Sequence, residues 1–168
     1  MIPFVIDVDG VLTNGKVSYP SMERQFDVRD GHGFQLLRER TNILPIVMSG
    51  EADESIRERC KKLGVDCYLG VENKLTVLNW LHSVEELDLS NGYIAMSDDV
   101  PDMQLLYSAT ICFCPADADY KIKSLVTAHS GGEVIPATGG DKAFREAVNM
   151  ILVDRLIQSR FKDVQLIK

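Results

Sequence analysis

Short apolar runs alternate with segments of helical periodicity along the whole of this 168-residue chain. Ile2 to Ile6, Ile43 to Met48, Tyr93 to Met96 and Ile111 to Phe113 have the length and composition of buried strands, and Cys67 to Leu69 is a weaker fifth. Between them, helical spacing marks Gly33 to Glu39 (Phe34, Leu37), Glu54 to Leu63 (Ile56, Leu63), Lys74 to His82 (Leu75, Leu78, Leu81) and Met103 to Ser108. Strands alternating with helices make βαβ units, so the expected fold is α/β: a Rossmann-like parallel sheet with helices on both faces. A last helix is expected after Gly139-Gly140, with Asp141 as N-cap and Phe144, Val148, Ile151, Leu152 and Leu156 on its apolar face. The length fits one domain, residues 1–168.

One segment breaks this rhythm. Lys16 to Val28 is too polar for a core strand, yet Val17 and Tyr19, then Phe26 and Val28, sit at alternating positions around Pro20-Ser21. That pattern predicts a β-hairpin projecting after the first strand.

Charge and composition exclude several classes. The net charge of -7 argues against nucleic-acid binding, which needs a basic surface. No apolar stretch approaches the ~20 residues that span a bilayer. The start, Met-Ile-Pro-Phe-Val-Ile, has neither the basic region nor the cleavage site of a signal peptide. Cys60, Cys67, Cys112 and Cys114 form no C-x-x-C pair and lie far in sequence from His32, His82 and His129, so a zinc site is not expected. They read as buried, reduced thiols of a cytoplasmic protein.

In an open parallel sheet, ligands bind outside the carboxyl ends of the strands. Ile6 is followed by Asp7-Val8-Asp9-Gly10, Met48 by Ser49-Gly50-Glu51, and Met96 by Ser97-Asp98-Asp99, then Asp102. Three strands thus deliver carboxylates or a hydroxyl to one rim. Such a cluster calls for a compensating cation, and an all-oxygen ligand set suits Mg²⁺. Lys74 opens a helix behind Asn73, the expected N-cap, where its charge opposes the macrodipole; it is better explained as holding an anion or a carboxylate. These groups make one coherent phosphoryl-transfer mechanism. Asp7 attacks phosphorus, Asp9 serves as acid and then base, Ser49 donates to the phosphoryl group, and Lys74 with Mg²⁺ neutralises it.

The sequence resembles the haloacid dehalogenase superfamily of phosphatases. Asp7-Val8-Asp9-Gly10-Val11-Leu12-Thr13 looks like its first motif, Ser49 its second, Lys74 its third and Asp98-Asp99-Val100-Pro101-Asp102 its fourth. The resemblance implies a metal held by Asp7, the backbone carbonyl of Asp9, and Asp98. The stretches from Asp7 to Ser49 and from Lys74 to Asp98 are already filled by expected elements, so the chain resembles a member without a cap domain. Val28-Arg29-Asp30-Gly31-His32-Gly33 and the late Gly139-Gly140 with Arg145-Glu146 are similar to the 3-deoxy-octulosonate 8-phosphate phosphatases and their nonulosonate 9-phosphate relatives. That group implies a small anionic sugar-phosphate substrate and a homotetramer in which the hairpin closes a neighbour's site.

Ser49-Gly50-Glu51 stands where the eight-carbon enzymes usually have Thr-Gly-Arg, and Ser49 to Leu63 is similar to the 2-keto-3-deoxynononate 9-phosphate phosphatase. The resemblance places Gly50, Glu51, Arg59 and Lys62 as substrate contacts, Arg and Lys for the carboxylate and Glu51 for hydroxyls. A polar helix face with i,i+4 pairs such as Glu58-Lys62 explains the same residues without a substrate. The sequence also departs from the family in Ser97, where Gly commonly precedes the Asp pair. His32 and Arg145 are left open between a substrate contact and a surface role, and Trp80 and His82 are expected on a helix packed against the sheet or a partner. The alternative function is a non-catalytic oligomerisation domain like the C-terminal domain of acylneuraminate cytidylyltransferases, against which the intact Asp7, Asp9, Ser49, Lys74 and Asp98 argue. A response-regulator receiver would need its phosphoacceptor at the end of a middle strand, where this chain has Ser49.

Overall fold

A computed structural model describes residues 1–154 and 158–161. Its strands are β1 (Ile2–Ile6), β2 (Ile43–Ser49), β3 (Asp66–Leu69), β4 (Ile94–Met96), β5 (Ile111–Pro115) and β6 (Gly132–Ile135). They form one sheet in the order β3-β2-β1-β4-β5-β6, with every neighbouring pair parallel. The helices are α1 (Val28–Arg40), α2 (Glu54–Leu63), α3 (Lys74–Ser83), α4 (Met103–Ser108), α5 (Tyr120–Ala128) and α6 (Ala143–Val153), with a 3-10 turn over Val100–Asp102.

The pleat sorts the core into two layers. Ile2, Phe4 and Ile6 of β1 face Phe34 and Leu37 of α1, Ile56 of α2 and Phe144 and Val148 of α6. Val5 points the other way, towards Leu78 and Leu81 of α3, Leu105 of α4 and Ile122 and Val126 of α5. Because both faces are covered, the central strands are apolar at every position rather than at alternate ones. Phe144 anchors the first layer, its ring 4.4 Å from that of Phe34 and 5.6 Å from that of Phe4.

All five expected helices and all five expected strands are present, with ends moved by a few residues. The α1 helix starts earlier than its apolar spacing indicated, since Asp27 caps it by accepting from the Arg29 N–H at 2.8 Å. That start corrects the hairpin. Val28 belongs to α1, and the rest of the segment is joined by a single antiparallel bridge, Ser18 with Glu23, instead of a ladder. Helix α5 and strand β6 were not expected. Ile122, Leu125 and Val126 do carry helical spacing behind the Asp119 cap, but β6 is a short edge strand that begins at Gly132, which reads as part of a turn. Trp80 lies on the outer side of α3 and is 56% exposed, while Leu78 and Leu81 seat the helix.

The start of α6 is a second correction. It is preceded by Lys142 in the left-handed region, with no side-chain cap of its own, and Asp141 pairs with Arg29 at 2.7 Å instead. The cap comes from another helix: Asp30 of α1 accepts from the Arg145 N–H at 2.8 Å. Leu156, assigned to the apolar face of α6, lies outside the described residues.

Asp30 is 2% exposed, and its second oxygen has no hydrogen-bond partner. Burial therefore pushes its carboxyl up to about 7 from an ordinary 3.8. Between those values the folded chain holds a proton that the unfolded chain has released, so stability falls as pH rises through the window and is level above it. Asp30→Asn keeps an acceptor for Arg145 and removes the titration. Unfolding free energies from urea titrations across this range should decline less in the variant than in the parent, by roughly 2–4 kcal/mol over the whole window.

Candidate active site

The strand order reverses between β1 and β4, which places a crevice at their carboxyl ends. The Asp7 N–H donates to the Met96 carbonyl at 3.0 Å, tying the two ends together. An open cleft of ≈ 430 Å³ lies over them, and Asp7, Asp9, Ser49, Lys74, Asp98 and Asp102 all line it. Residues from Asp7 to Asp102 thus share one wall because β1, β2 and β4 end there and α3 begins there.

Lys74 is the hub. Asn73 caps α3 by accepting from the Thr76 N–H at 2.9 Å, and Lys74, the first helical residue, turns inward with its side chain 6% exposed. Its ammonium lies 2.6 Å from Asp7 Oδ1 and 2.5 Å from Asp102 Oδ2. Burial alone would lower the pKa of this lysine, but the two carboxylates outweigh it and hold the pKa above the usual value. Asp7 Oδ1 also accepts from the Val8 N–H at 2.7 Å. Asp7 Oδ2 is less encumbered, with the Ser97 hydroxyl 3.4 Å away. Ser97 does more than occupy the place of a glycine: fully buried, it donates to Asp102 Oδ2 at 2.6 Å. Burial pushes the Asp7 carboxyl up against the pull of Lys74.

Asp98 fits a cation. Its Oδ1 is buried with no hydrogen-bond partner, and burial, reinforced by the charge of Asp7, pushes its carboxyl up to about 7. Its other oxygen lies so close over Gly10 that a Cβ there would come within 1.9 Å of it; Gly10 also has φ +87, a region glycine alone enters freely. Asp7, Asp98 and Asp102 set three carboxylates against one ammonium, leaving the charge that one divalent ion would neutralise. Among the described residues no three acidic, histidine or cysteine side chains already converge as a ligand cluster. The expected set does not require that, since it takes two side chains, Asp7 and Asp98, and the Asp9 carbonyl. An orphaned hard oxygen beside a second carboxylate suits Mg²⁺.

Asp9 is held from two sides. Thr13 Oγ1 donates to its Oδ1 at 2.9 Å, and Arg24 forks onto both of its oxygens at 2.9 and 3.1 Å. Ser49 closes β2 at 2% exposure; its Oγ accepts from the Glu51 N–H at 3.1 Å, an arrangement in which the hydroxyl hydrogen can point into the cleft. Gly50 and Glu51 line the same wall. Gly139 closes the floor: a Cβ on it would fall 2.0 Å from the Gly10 carbonyl, and Gly140 N–H donates to Val11 at 3.0 Å.

Arg59 and Lys62 are not brought to this cleft. They lie about 9 and 13 Å along α2 from its cap at Asp53, past the end that meets the site. Arg59 turns towards α1, with its guanidinium 5.7 Å from the Phe26 ring and 3.5 Å from the Asp27 carbonyl, while Lys62 is exposed. His32 and Arg145 meet each other, Arg145 Nη1 lying 2.9 Å from His32 Nδ1, and neither lines the cleft. Sequence reasoning missed Arg24 altogether, because a lone arginine in a polar loop carries no signal of what it will meet.

No family model matches the chain. It is 33% identical over 157 residues to the 3-deoxy-D-manno-octulosonate 8-phosphate phosphatase of Haemophilus influenzae, covering 90% of this chain and 83% of that protein. A solved structure of the cobalt-bound Haemophilus influenzae deoxy-D-mannose-octulosonate 8-phosphate phosphatase aligns with a TM-score of 0.80 and 30% identity, covering 97% of this chain and 94% of that one. The Moraxella catarrhalis 3-deoxy-D-manno-octulosonate 8-phosphate phosphatase, solved with magnesium, phosphate and KDO, aligns with a TM-score of 0.78 and 27% identity, covering 90% and 86%.

Proposed function

The chain belongs to the capless haloacid dehalogenase group of 3-deoxy-D-manno-octulosonate 8-phosphate phosphatases, and from that premise we propose that it is a Mg²⁺-dependent phosphomonoester hydrolase acting on a phosphorylated 3-deoxy-2-keto sugar acid. The observation that carries this reading is the meeting of Asp7, Lys74, Asp98 and Asp102 in one cleft, with Asp9 and Ser49 on its walls. The same convergence speaks against a purely structural oligomerisation domain, which would have no use for three buried or half-buried carboxylates around a lysine.

In this mechanism an Asp7 carboxylate oxygen bonds to phosphorus as the bond from phosphorus to the sugar oxygen breaks, and Asp9 gives its proton to the departing alkoxide. Water then yields a proton to Asp9 and attacks phosphorus, breaking the Asp7–phosphoryl bond and releasing phosphate. Lys74 and Ser49 place positive charge and a hydrogen bond on the transferring group. Asp7, the Asp9 carbonyl and Asp98 would hold a Mg²⁺ ion, which would supply further positive charge for the phosphoryl oxygens.

For the sugar acid itself, the family favours eight carbons, whereas Glu51 in the cleft favours a longer polyhydroxyl chain as in a nonulosonate 9-phosphate. Arg59 and Lys62 lend the nine-carbon reading no support from their positions within one chain. We take residues 1–168 as one phosphatase domain that works as a homotetramer, with the loop between β1 and α1, whose Tyr19 is 82% exposed, closing a neighbour's cleft. No helix among the described residues is long and apolar enough to cross a membrane, and the unpaired cysteines fit a cytoplasmic protein.

Phosphate release with Mg²⁺ from octulosonate 8-phosphate and from nonulosonate 9-phosphates tests the reading. Turnover of either, with the preferred substrate ahead by about tenfold or more in kcat/KM, supports the enzyme and assigns the chain length. No release from any of them would overturn it.

A further inference from the structure

Among the described residues, Arg24 is a cation beside the cleft, its side chain buried, that the mechanism does not use. Its side chain has no exposed surface, and its guanidinium spans two carboxylates. Towards Asp9, Nε lies 2.9 Å from Oδ1 and Nη2 lies 3.1 Å from Oδ2, a parallel fork; Nε is also 3.1 Å from Oδ2, within the same side of the carboxylate. Towards α2, Nη1 lies 3.0 Å from Asp53 Oδ2, while Asp53 Oδ1 caps the helix by accepting from the Ser55 N–H at 2.7 Å. The turn that carries Arg24 is itself fixed: Met22 takes a left-handed φ of 57, and its N–H donates to the Ser18 carbonyl at 2.7 Å.

The two oxygens of Asp9 are therefore unequal. Oδ1 receives Thr13 on one side and Arg24 on the other, which fills both of its lone pairs. Oδ2 receives Arg24 alone and keeps one lone pair for a further partner. A fork of this kind fixes the plane of a carboxylate as well as its position, which a lysine ammonium cannot do.

We propose that Arg24 is a positioning residue for Asp9, anchored on Asp53, which fixes the carboxylate so that Oδ2 is the oxygen that meets the substrate's leaving group and then the attacking water. The inference rests on the reading of Asp9 as acid and base. Arg24 thereby ties the loop that carries it, the loop after β1 and the start of α2 together around that oxygen.

The test is steady-state phosphate release with Mg²⁺ and octulosonate 8-phosphate or the preferred longer substrate, for Arg24→Met, Arg24→Lys, Asp9→Asn and the Asp9→Asn/Arg24→Met double variant, with thermal melts of each. Arg24→Met should lower kcat by about 10- to 100-fold, the cost of a misplaced reacting group, with KM moved less than about threefold. Arg24→Lys, which keeps charge and loses the fork, should fall between it and the parent, and it carries the test if Arg24→Met does not fold. In the Asp9→Asn background, Arg24→Met should change kcat by less than about twofold, because its effect passes through Asp9. A crystal structure of the Arg24 variant should have the Asp9 carboxylate turned from its present plane, a readout that needs no activity. A KM that rises in step with the fall in kcat, an undiminished Arg24 effect without the Asp9 carboxylate, or an unmoved Asp9 in the variant would overturn the proposal. If Asp9→Asn alone turns over at the parental rate, the fault lies in the acid–base reading of Asp9 and not in its positioning.

Discussion

Asp7→Asn should abolish turnover while leaving the fold intact. The amide keeps the size of the carboxylate and an oxygen for the Val8 N–H, but it cannot displace the sugar oxygen from phosphorus, and loss of a nucleophile typically costs about 10⁴-fold or more in kcat. Stability should hold or rise slightly. Burial already disfavours the charged form of Asp7, and Lys74 retains Asp102 as its partner. The check is a pair of measurements on one preparation: phosphate release and a thermal melt. Retained activity in a well-folded variant would remove Asp7 from the chemistry.

Lys74→Met should damage both stability and activity. Among the described residues the ammonium is the only cation that pairs with Asp7 and Asp102, and removing one member of a buried ion pair costs about 3–5 kcal/mol. For a domain of this size that corresponds to a fall in melting temperature of about 10 °C. Activity should fall by about 10²–10³-fold, the usual result of deleting one preorganised stabiliser of transferring charge. Because a dication supplies some of the missing positive charge, Mg²⁺ should raise the melting temperature of the variant more than that of the parent. Equal shifts in the two proteins would mean that Lys74 and the metal do not address the same carboxylates.

Much of this was legible in the sequence, and the reasons are physical. A parallel sheet covered on both faces forces its central strands to be apolar at every position, so β1, β2, β4 and β5 stand out against the polar residues that end them. Polar residues following such runs must gather at one edge, which is why Asp7, Ser49 and Asp98 could be assigned to a common site. Lys74 was legible through its misfit with the helix dipole. Edge elements were harder to read: β6 pairs on one side only and opens with glycine, so neither periodicity nor composition marks it.

Long-range polar contacts were illegible for a different reason. The cap on α6 comes from Asp30, 115 residues earlier, and Asp141, which has the right local position, turns to Arg29. Arg24 reaches Asp9 across a loop whose path is set by a turn and not by a repeating pattern. Arg59 and Lys62 are the reverse case. Residue type and local similarity made them substrate contacts, but α2 leads away from the cleft, and within one chain they stay with it.

The central claim is that phosphate passes through Asp7. Acid quenching during turnover of a sugar-acid phosphate with Mg²⁺, followed by mass spectrometry of the peptides, tests it most directly. The expected result is one added phosphoryl group on the peptide that carries Asp7, absent from Asp7→Asn and absent without substrate. Steady release of phosphate with no phosphoryl group on that peptide at any quench time, and with the Asp7→Asn variant still active, would contradict it.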